Sequence, residues 1–351
     1  MKQKNKKVGI IGHFGFGKEF FDGQTVKTKI LYEELKKSGD FDIITVDTAK
    51  KKEKPLSLFF NTFACLLKTK KIIVLLSGNG MHFYFPILYF FSKAFGTQIY
   101  HDVIGGNLDN YVKKNKSFKK YLNSFRVNWV ETENLKQRLG ECGINNCEVI
   151  PNFKRLNCVD EDELQANYAK PFKFCMFSRV MKEKGIETAI KTVSEINEEA
   201  GETVCILDIY GPIDFGYKNR FSEIMSGVSS AINYKGIVDY DKSVDVIKDY
   251  YALLFPTCWE GEGFPGTVID AFSAGVPVIA TDWNSNSEII RNGENGIIYQ
   301  TDKEDGLKIS INELINRKTS IIEFKKNCIE EAKKYLPDFY IGKMINELKQ
   351  D

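Results

Sequence analysis

Ala252-Leu-Leu-Phe255, then Pro256-Thr-Cys-Trp-Glu-Gly-Glu262-Gly263-Phe264-Pro265-Gly266, then Thr267-Val-Ile-Asp270-Ala-Phe-Ser-Ala274, then Gly275-Val-Pro277-Val-Ile-Ala280 read in turn as strand, loop, helix and returning strand. Four apolar residues are enough for a buried strand, and parallel strands need a crossover, usually a helix, to connect them. Gly263 and Gly266 let the backbone come close to a ligand. The first turn of the following helix offers free N–H groups and a positive dipole end to phosphate or sugar oxygens. Glu262 lies before that helix and Asp270 one turn inside it, so two carboxylates are placed to accept hydrogen bonds from vicinal hydroxyls. Taken alone, the stretch also reads as an ordinary strand-turn-helix with Thr267 as its cap.

The same rhythm extends in both directions. Val8–Ile11, Ile43–Val46, Ile72–Leu76, Gln98–Tyr100, Arg126–Val130 and Glu148–Ile150 are strand-like runs separated by helix-like segments. After residue 170 the pattern restarts with Phe172–Phe177, Val204–Tyr210, Ile232–Tyr234, Ala252–Phe255, Pro277–Ala280 and Gly296–Tyr299. The spacing predicts an α/β chain of two doubly wound, Rossmann-like domains, as 351 residues also suggest. The expected divisions are 1–165, 171–330 and a C-terminal helix in 331–351 that packs back on the first domain, with the linker near Pro151–Pro171. Ligands in such sheets sit beyond the carboxyl ends of the strands, and the natural site is the cleft between the two loop edges.

Net charge is +2, but residues 1–170 carry 28 Lys+Arg against 18 Asp+Glu, while the remainder is acidic. The basic half suits an anionic surface, a lipid diphosphate or nucleic acid, or is simply a solvated lysine-rich face. Leu56–Leu67 and Phe83–Phe91 lie in that half and read either as buried helix faces or as interfacial docking segments. No run is long enough to span a membrane, Phe83–Phe91 being broken by Pro86. The eight cysteines are scattered without a C-x-x-C pair, and the first residues lack a leader's apolar core. Both facts lead us to expect a reducing, cytoplasmic protein without zinc or disulfides.

Phe177-Ser-Arg179-Val-Met-Lys-Glu-Lys184-Gly185-Ile186 follows the first strand of the second half and places two cations on one strand-to-helix loop. Arg179 and Lys184 there can neutralise a diphosphate and stabilise its departure. With this segment and Glu262–Ala280 in hand, the chain resembles the family four, or "group 1", retaining glycosyltransferases with the GT-B fold. The two segments are similar to the family's S-R-x4-K-G and E-x7-E signatures, and Asn286-Ser-Glu288 and Asn292-Gly-Glu-Asn-Gly296 extend the likeness. The resemblance implies that Glu262 contacts the donor sugar's hydroxyls and Asp270, shorter than the usual Glu, the ribose. It further implies front-face transfer, in which the leaving diphosphate helps deprotonate the acceptor.

In the first half, Gly12-His-Phe-Gly-Phe-Gly17-Lys18-Glu19 approaches a P-loop but ends in a carboxylate where a magnesium-binding hydroxyl is needed. Gly23, Gln24 and Thr25, at a helix start, are expected beside the donor phosphates. His101 closes a strand before Gly105 and Gly106; the resemblance makes it the histidine near the transferred sugar, with Asp102 orienting it or serving the acceptor. Asp40-Phe-Asp42 and Asp239-Tyr-Asp241 match the D-x-D string of metal-dependent enzymes, but a three-letter string of common residues carries little, and no metal is expected.

The expectation is therefore a retaining, metal-independent hexosyltransferase without a cofactor. It moves a hexose or N-acetylhexosamine from a nucleoside diphosphate sugar, most simply a UDP-sugar, to a lipid-linked glycan in surface-polysaccharide assembly at the inner face of the membrane, with no nucleic-acid partner. Its catalytic set is Arg179, Lys184, Glu262 and His101. Gly23–Thr25, Gly263–Thr267 and Asp270 bind donor, and Asp102, Gly105 and Gly106 lie on the acceptor side. A nucleotide-sugar epimerase, a non-catalytic sugar-nucleotide sensor and a P-loop NTPase are the competing readings.

Overall fold

Each of those apolar runs becomes a strand in the computed structural model, which describes residues 6–16, 23–51, 53–165, 168–239, 241–317 and 320–350. The chain divides into two compact units, residues 1–155 with 336–351, and 156–335.

In the first unit the elements run β1 (Lys6–Gly12), α1 (Gly23–Ser38), β2 (Phe41–Asp47), α2 (Pro55–Lys68), β3 (Lys71–Leu75), α3 (Gly78–Phe95), β4 (Gln98–Asp102), α4 (Leu108–Lys114), α5 (Lys116–Leu122), β5 (Val127–Val130), α6 (Glu133–Glu141) and β6 (Cys147–Val149). The strands pair in parallel in the order β2-β1-β3-β4-β5-β6. Successive residues point to opposite faces. Val8 and Ile10 of β1 thus pack with Leu31 and Leu35 of α1, while Ile11 joins the other layer with Phe85 and Leu88 of α3. Pro86 does not end α3: the residue is exposed, so the hydrogen bond its ring cannot donate is lost on the solvent side of the helix.

The second unit runs β7 (Phe172–Phe177), α7 (Ile186–Ala200), β8 (Cys205–Tyr210), α8 (Lys218–Ser226), β9 (Ile232–Gly236), α9 (Ser243–Ile247), β10 (Ala252–Phe255), α10 (Gly266–Ser273), β11 (Val278–Thr281), α11 (Asn286–Ile289), β12 (Gly296–Tyr299), α12 (Gly306–Asn316) and α13 (Ile321–Lys333). Its parallel order is β12-β11-β10-β7-β8-β9. Phe174 and Met176 face one helical layer and Cys175 the other.

Both orders reverse once, between β1 and β3 in the first unit and between β7 and β10 in the second. In open α/β sheets the strand ends at such a reversal diverge and leave a crevice for ligand. The loops after β7 and β10 are the two segments whose sequence carried charge and glycine.

The unit boundaries differ from the expected ones. Residues from Leu156 onward belong to the second unit because Leu156, Cys158 and Val159 pack on its core and the Val159 N–H donates to the Ser273 carbonyl at 2.9 Å. The last helix, α14 (Pro337–Lys349), belongs to the first unit, which the chain rejoins at Leu336 rather than at 331. Ile341, Met344 and Leu348 join the cluster of Leu31 and Leu35, and Lys71 donates to the Leu348 carbonyl at 2.9 Å.

Candidate active site

The loop after β7 is held from both sides. The Ser178 N–H donates to the Tyr210 carbonyl at 3.1 Å and the Val180 N–H to the Pro212 carbonyl at 2.9 Å. At Gly211, with φ of 128°, a Cβ would lie 1.9 Å from the Ser178 carbonyl oxygen, so the two loops touch backbone to backbone. Gly185 does the same toward β10: its φ is 75° and a Cβ would lie 2.1 Å from the Pro256 carbonyl oxygen. The Cys258 N–H then donates to the Glu183 carbonyl at 2.8 Å.

This backbone contact brings two distant side chains together. Lys184, only 8% exposed, forms an ion pair with Oε2 of Glu262, itself 6% exposed. The Thr257 hydroxyl donates to the same oxygen at 3.0 Å, and the Thr281 hydroxyl holds the Thr257 carbonyl at 2.6 Å. The Lys184 ammonium also stands 4.8 Å from the Trp259 ring centroid and 5.5 Å from that of Phe255. Asn284 donates to the Glu262 carbonyl at 3.0 Å. Glu262 is therefore fixed at backbone and carboxylate. Arg179, by contrast, is exposed: its carbonyl accepts from the Ser178 hydroxyl at 3.3 Å, and its guanidinium forms no hydrogen bond or ion pair among the described residues. The two motifs, distant in sequence, are side by side in the second unit. They meet, with one cation already paired and the other free to meet an anion.

α10 begins at Gly266 with Pro265 as N-cap, and no side chain caps it; Thr267 is not the capping residue. The Thr267 hydroxyl oxygen is instead buried without a hydrogen-bond partner among the described residues, a donor that a ligand oxygen could satisfy. Gly263 and Pro265 are buried in the same loop. Asp270 is 4% exposed within α10. Phe264, expected to touch donor, packs against Tyr335 with ring centroids 4.8 Å apart and supports the loop from behind.

In the first unit the expected residues are placed differently. The Gln24 amide donates to the Leu75 carbonyl at 3.1 Å, and fully buried Thr25 hydrogen-bonds His13 at 2.7 Å. Their side chains tie α1 to the sheet, and Gly23 is open to solvent. Gly17, Lys18 and Glu19, on which the P-loop comparison turned, lie outside the described residues, as does Tyr240 of the second D-x-D string.

His101 is a correction. It has no exposed surface, and its ring packs on Phe85 and Phe125 at centroid distances of 5.1 and 6.0 Å and hydrogen-bonds Asn128 at 3.2 Å. Burial lowers its pKa to about 4, against the Asn128 hydrogen bond and with the help of the Lys27 charge. A neutral core imidazole of this kind does not meet a sugar. Asp102 is also fully buried, its carboxyl pushed up by burial against the opposing charge of Lys27 at 2.7 Å. Lys27 bonds Glu131 as well, at 3.0 Å. Asp102 thus belongs to an internal ion network rather than to an acceptor site. The Gly106 carbonyl accepts from Arg138 at 2.6 Å, and Gly105 turns the chain with φ of 83°. The partners that were not foreseen, Lys27, Glu131, Thr257 and Trp259, lack a motif. Only Lys27 left a trace, four residues from Leu31 and eight from Leu35 on the buried face of α1.

Among the described residues no group of three or more His, Cys, Asp or Glu could hold a metal ion, and Asp40 pairs with Lys349 at 2.7 Å. No described helix is long and apolar enough to cross a membrane.

Comparison with known proteins agrees with the fold and the motifs. An uncharacterised glycosyltransferase of Methanocaldococcus jannaschii is 22% identical over 324 residues, spanning 89% of this chain and 74% of its own. Sucrose-phosphate synthase from Thermosynechococcus elongatus superposes with a TM-score of 0.77 at 15% identity, covering 99% of both chains. HepE of Anabaena, solved with UDP and glucose, does so with a TM-score of 0.69 at 14% identity, covering 98% of this chain and 99% of its own. The architecture of two parallel six-stranded sheets is the GT-B fold. The sequence profile of the family described as "Glycosyl transferases group 1" matches residues 160–335, half of the chain, and the chain therefore belongs to the group 1 glycosyltransferases.

Proposed function

We propose that the chain transfers a hexose or N-acetylhexosamine from a UDP-sugar, with retention of anomeric configuration, to a lipid-linked glycan. One observation carries this reading: at the sheet reversal of the second unit, the paired Lys184–Glu262 stands on the same loops as the unpaired guanidinium of Arg179. The pair gives a fixed carboxylate for sugar hydroxyls, and Arg179 gives a cation for the diphosphate. Both carboxylate contacts of Glu262 fall on Oε2, and Oε1 is the oxygen we assign to the sugar. Asp270 and the Thr267 hydroxyl are assigned to the ribose and phosphate side.

In this mechanism the bond from the anomeric carbon to the β-phosphate oxygen breaks as the acceptor oxygen bonds to the same face. The acceptor proton passes to the departing phosphate. Arg179 and Lys184 stabilise the charge that grows on the diphosphate, in place of a metal ion. The bound UDP and glucose of HepE support a uridine donor by likeness of fold. A peripheral position at the inner face of the cell membrane, in polysaccharide assembly, is part of the proposal. It is supported by exposed Leu56, Phe60 and Phe90 beside exposed Lys54, Lys68 and Lys93 on α2, α3 and their ends.

The test is to incubate the protein with UDP-glucose, UDP-galactose or UDP-N-acetylglucosamine, with and without a glycolipid acceptor and with EDTA, following UDP release and the anomeric coupling of the product. Acceptor-dependent UDP release with retained configuration and no effect of EDTA is expected. Conversion of the sugar nucleotide without acceptor would identify an epimerase instead, and absence of any turnover or sugar-nucleotide-induced rise in Tm would refute the assignment.

A further inference from the structure

Helix α13 carries a buried lysine that the transfer chemistry leaves unused. Lys325 is 1% exposed; its ammonium donates to the Gly275 carbonyl at 3.1 Å and stands 5.4 Å from the centroid of the Tyr168 ring. Among the described residues no carboxylate lies within ion-pair distance of it, whereas buried Lys27 has Asp102 and Glu131, and Lys184 has Glu262. A cation buried on those terms costs free energy. Burial accordingly lowers its pKa to about 8, against the opposing effects of Cys328 and Asp249, so roughly a tenth of the amine is neutral at pH 7. Lys325 also lines a cavity of about 200 Å³, with Val159, Leu164 and Ala274 as apolar walls and Glu163, Lys248 and Asp249 as charged ones. Lys248 and Asp249 precede β10 and Ala274 precedes β11. The cavity therefore lies at the amino edge of the sheet, opposite the loops that hold Lys184 and Glu262.

We propose, independently of the glycosyl-transfer reading, that Lys325 is an acylation site: a small acyl phosphate transfers its acyl group to the buried amine, and the cavity receives that group. The neutral amine attacks the carbonyl carbon and a C–N bond forms. The C–O bond to the phosphate breaks, its electron pair leaves with the phosphate, and the surplus proton on nitrogen passes to the same leaving group. The product suits the site better than the ammonium does. An amide N–H still donates to the Gly275 carbonyl, and no charge remains to be buried. The cavity holds several times the ~30 Å³ that a water molecule occupies in the liquid, room for an acetyl group against Val159, Leu164 and Ala274. Lys248 offers a cation to the incoming phosphate, its own ion pair with Glu163 being loose at 4.0 Å. Carbon dioxide would instead turn the amine into a carbamate, an anion in a cavity that Glu163 and Asp249 line, and a bound anion meets the same two carboxylates. Their repulsion favours the neutral amide.

The experiment exposes the full chain to acetyl phosphate near neutral pH and follows each lysine by peptide mass spectrometry, with Lys326 and Lys27 as internal standards. Lys326 is next in sequence and exposed, so it reports the reaction without the cavity; Lys27 is buried but held by two carboxylates. Lys325 is expected to acetylate about tenfold faster than Lys326, because only the neutral amine reacts and burial raises its share, while Lys27 stays unlabelled. In urea the difference between Lys325 and Lys326 should vanish. Labelling of Lys325 no faster than that of Lys326 overturns the proposal, as does a preference that survives in urea. So does a chain whose Lys325 stays unlabelled while inorganic phosphate raises its Tm, which assigns the cavity to a bound anion. The labelling uses the unsubstituted chain, so no misfolded variant obscures the result, and it is read without any sugar transfer.

Discussion

Replacing Lys184 with Met should be among the most damaging changes to the second unit, and the geometry sets both its size and its asymmetry. Lys184 and Glu262 are nearly buried, so removing one charge leaves the other without solvent to replace its partner. Losing one member of a buried pair costs ~3–5 kcal/mol, and for a unit of this size each kcal/mol lowers Tm by ~2–4 °C, giving a fall of about 6–20 °C for Lys184→Met. Glu262→Leu should cost less. The stranded ammonium keeps the faces of Trp259 and Phe255, a cation–π contact worth ~0.5–2 kcal/mol, and the Thr257 hydroxyl keeps the Glu183 carbonyl at 3.4 Å. The stranded carboxylate of Lys184→Met keeps only Thr257. The double variant carries no buried charge and should recover most of the loss, with a coupling of roughly 2–3 kcal/mol in urea unfolding. Additive single losses, or a larger loss for Glu262→Leu than for Lys184→Met, would show that the pair is effectively solvated and that the loops are not held as described.

Arg179 tests function without that cost: Arg179→Ala should leave stability within ~0.5 kcal/mol, since the side chain is exposed and unpaired, yet lower turnover by about two to three powers of ten. Near-normal turnover removes it from the diphosphate. Gly185→Ala should destabilise by more than ~1 kcal/mol and loosen the Lys184–Glu262 contact, because a Cβ meets the Pro256 carbonyl and a positive φ is lost; an unchanged urea midpoint refutes this. His101 gives a pH signature. The unfolded chain takes up its proton near pH 6.5, whereas the folded chain holds the imidazole neutral down to about 4, so stability is lost as pH falls through that window. The loss is roughly 3 kcal/mol, and His101→Gln should remove it from the pH dependence of urea unfolding; an identical profile in the variant shows that the imidazole is not buried neutral.

The strands were legible because a buried parallel strand needs little more than a short apolar run between turn residues, and Val8–Ile11 and Ala252–Phe255 supply that locally. The loop chemistry was half legible. Arg179, Lys184 and Glu262 stood out as charges at strand ends, but the separation of 78 positions between Lys184 and Glu262 conceals that the two side chains touch. Only the sheet order, which seats β7 beside β10, brings them together. His101 misled for the same reason in reverse. A histidine at a strand's carboxyl end is a fair candidate for a ligand, but β4 is an inner strand, and Phe85 of α3, Phe125 in the turn before β5 and Asn128 of β5 close over it.

The contrast between the two buried lysine clusters locates the chemistry more firmly than any motif does. At Lys27 the cation faces two carboxylates, Asp102 and Glu131, wholly inside the first unit, and its polar groups are consumed in holding α1 to β4 and β5. At Lys184 the cation faces a single carboxylate, and Arg179 on the same loop is left unpaired at the surface. A buried network whose charges all have partners stabilises and orients, whereas a loop that needs the positive φ of Gly185 and Gly211 to hold one charge pair, and leaves a second cation unmet among the described residues, offers that cation to an anion. Both units have a sheet reversal and strand-end loops. By this criterion the reversal of the second unit is where we propose that the diphosphate binds.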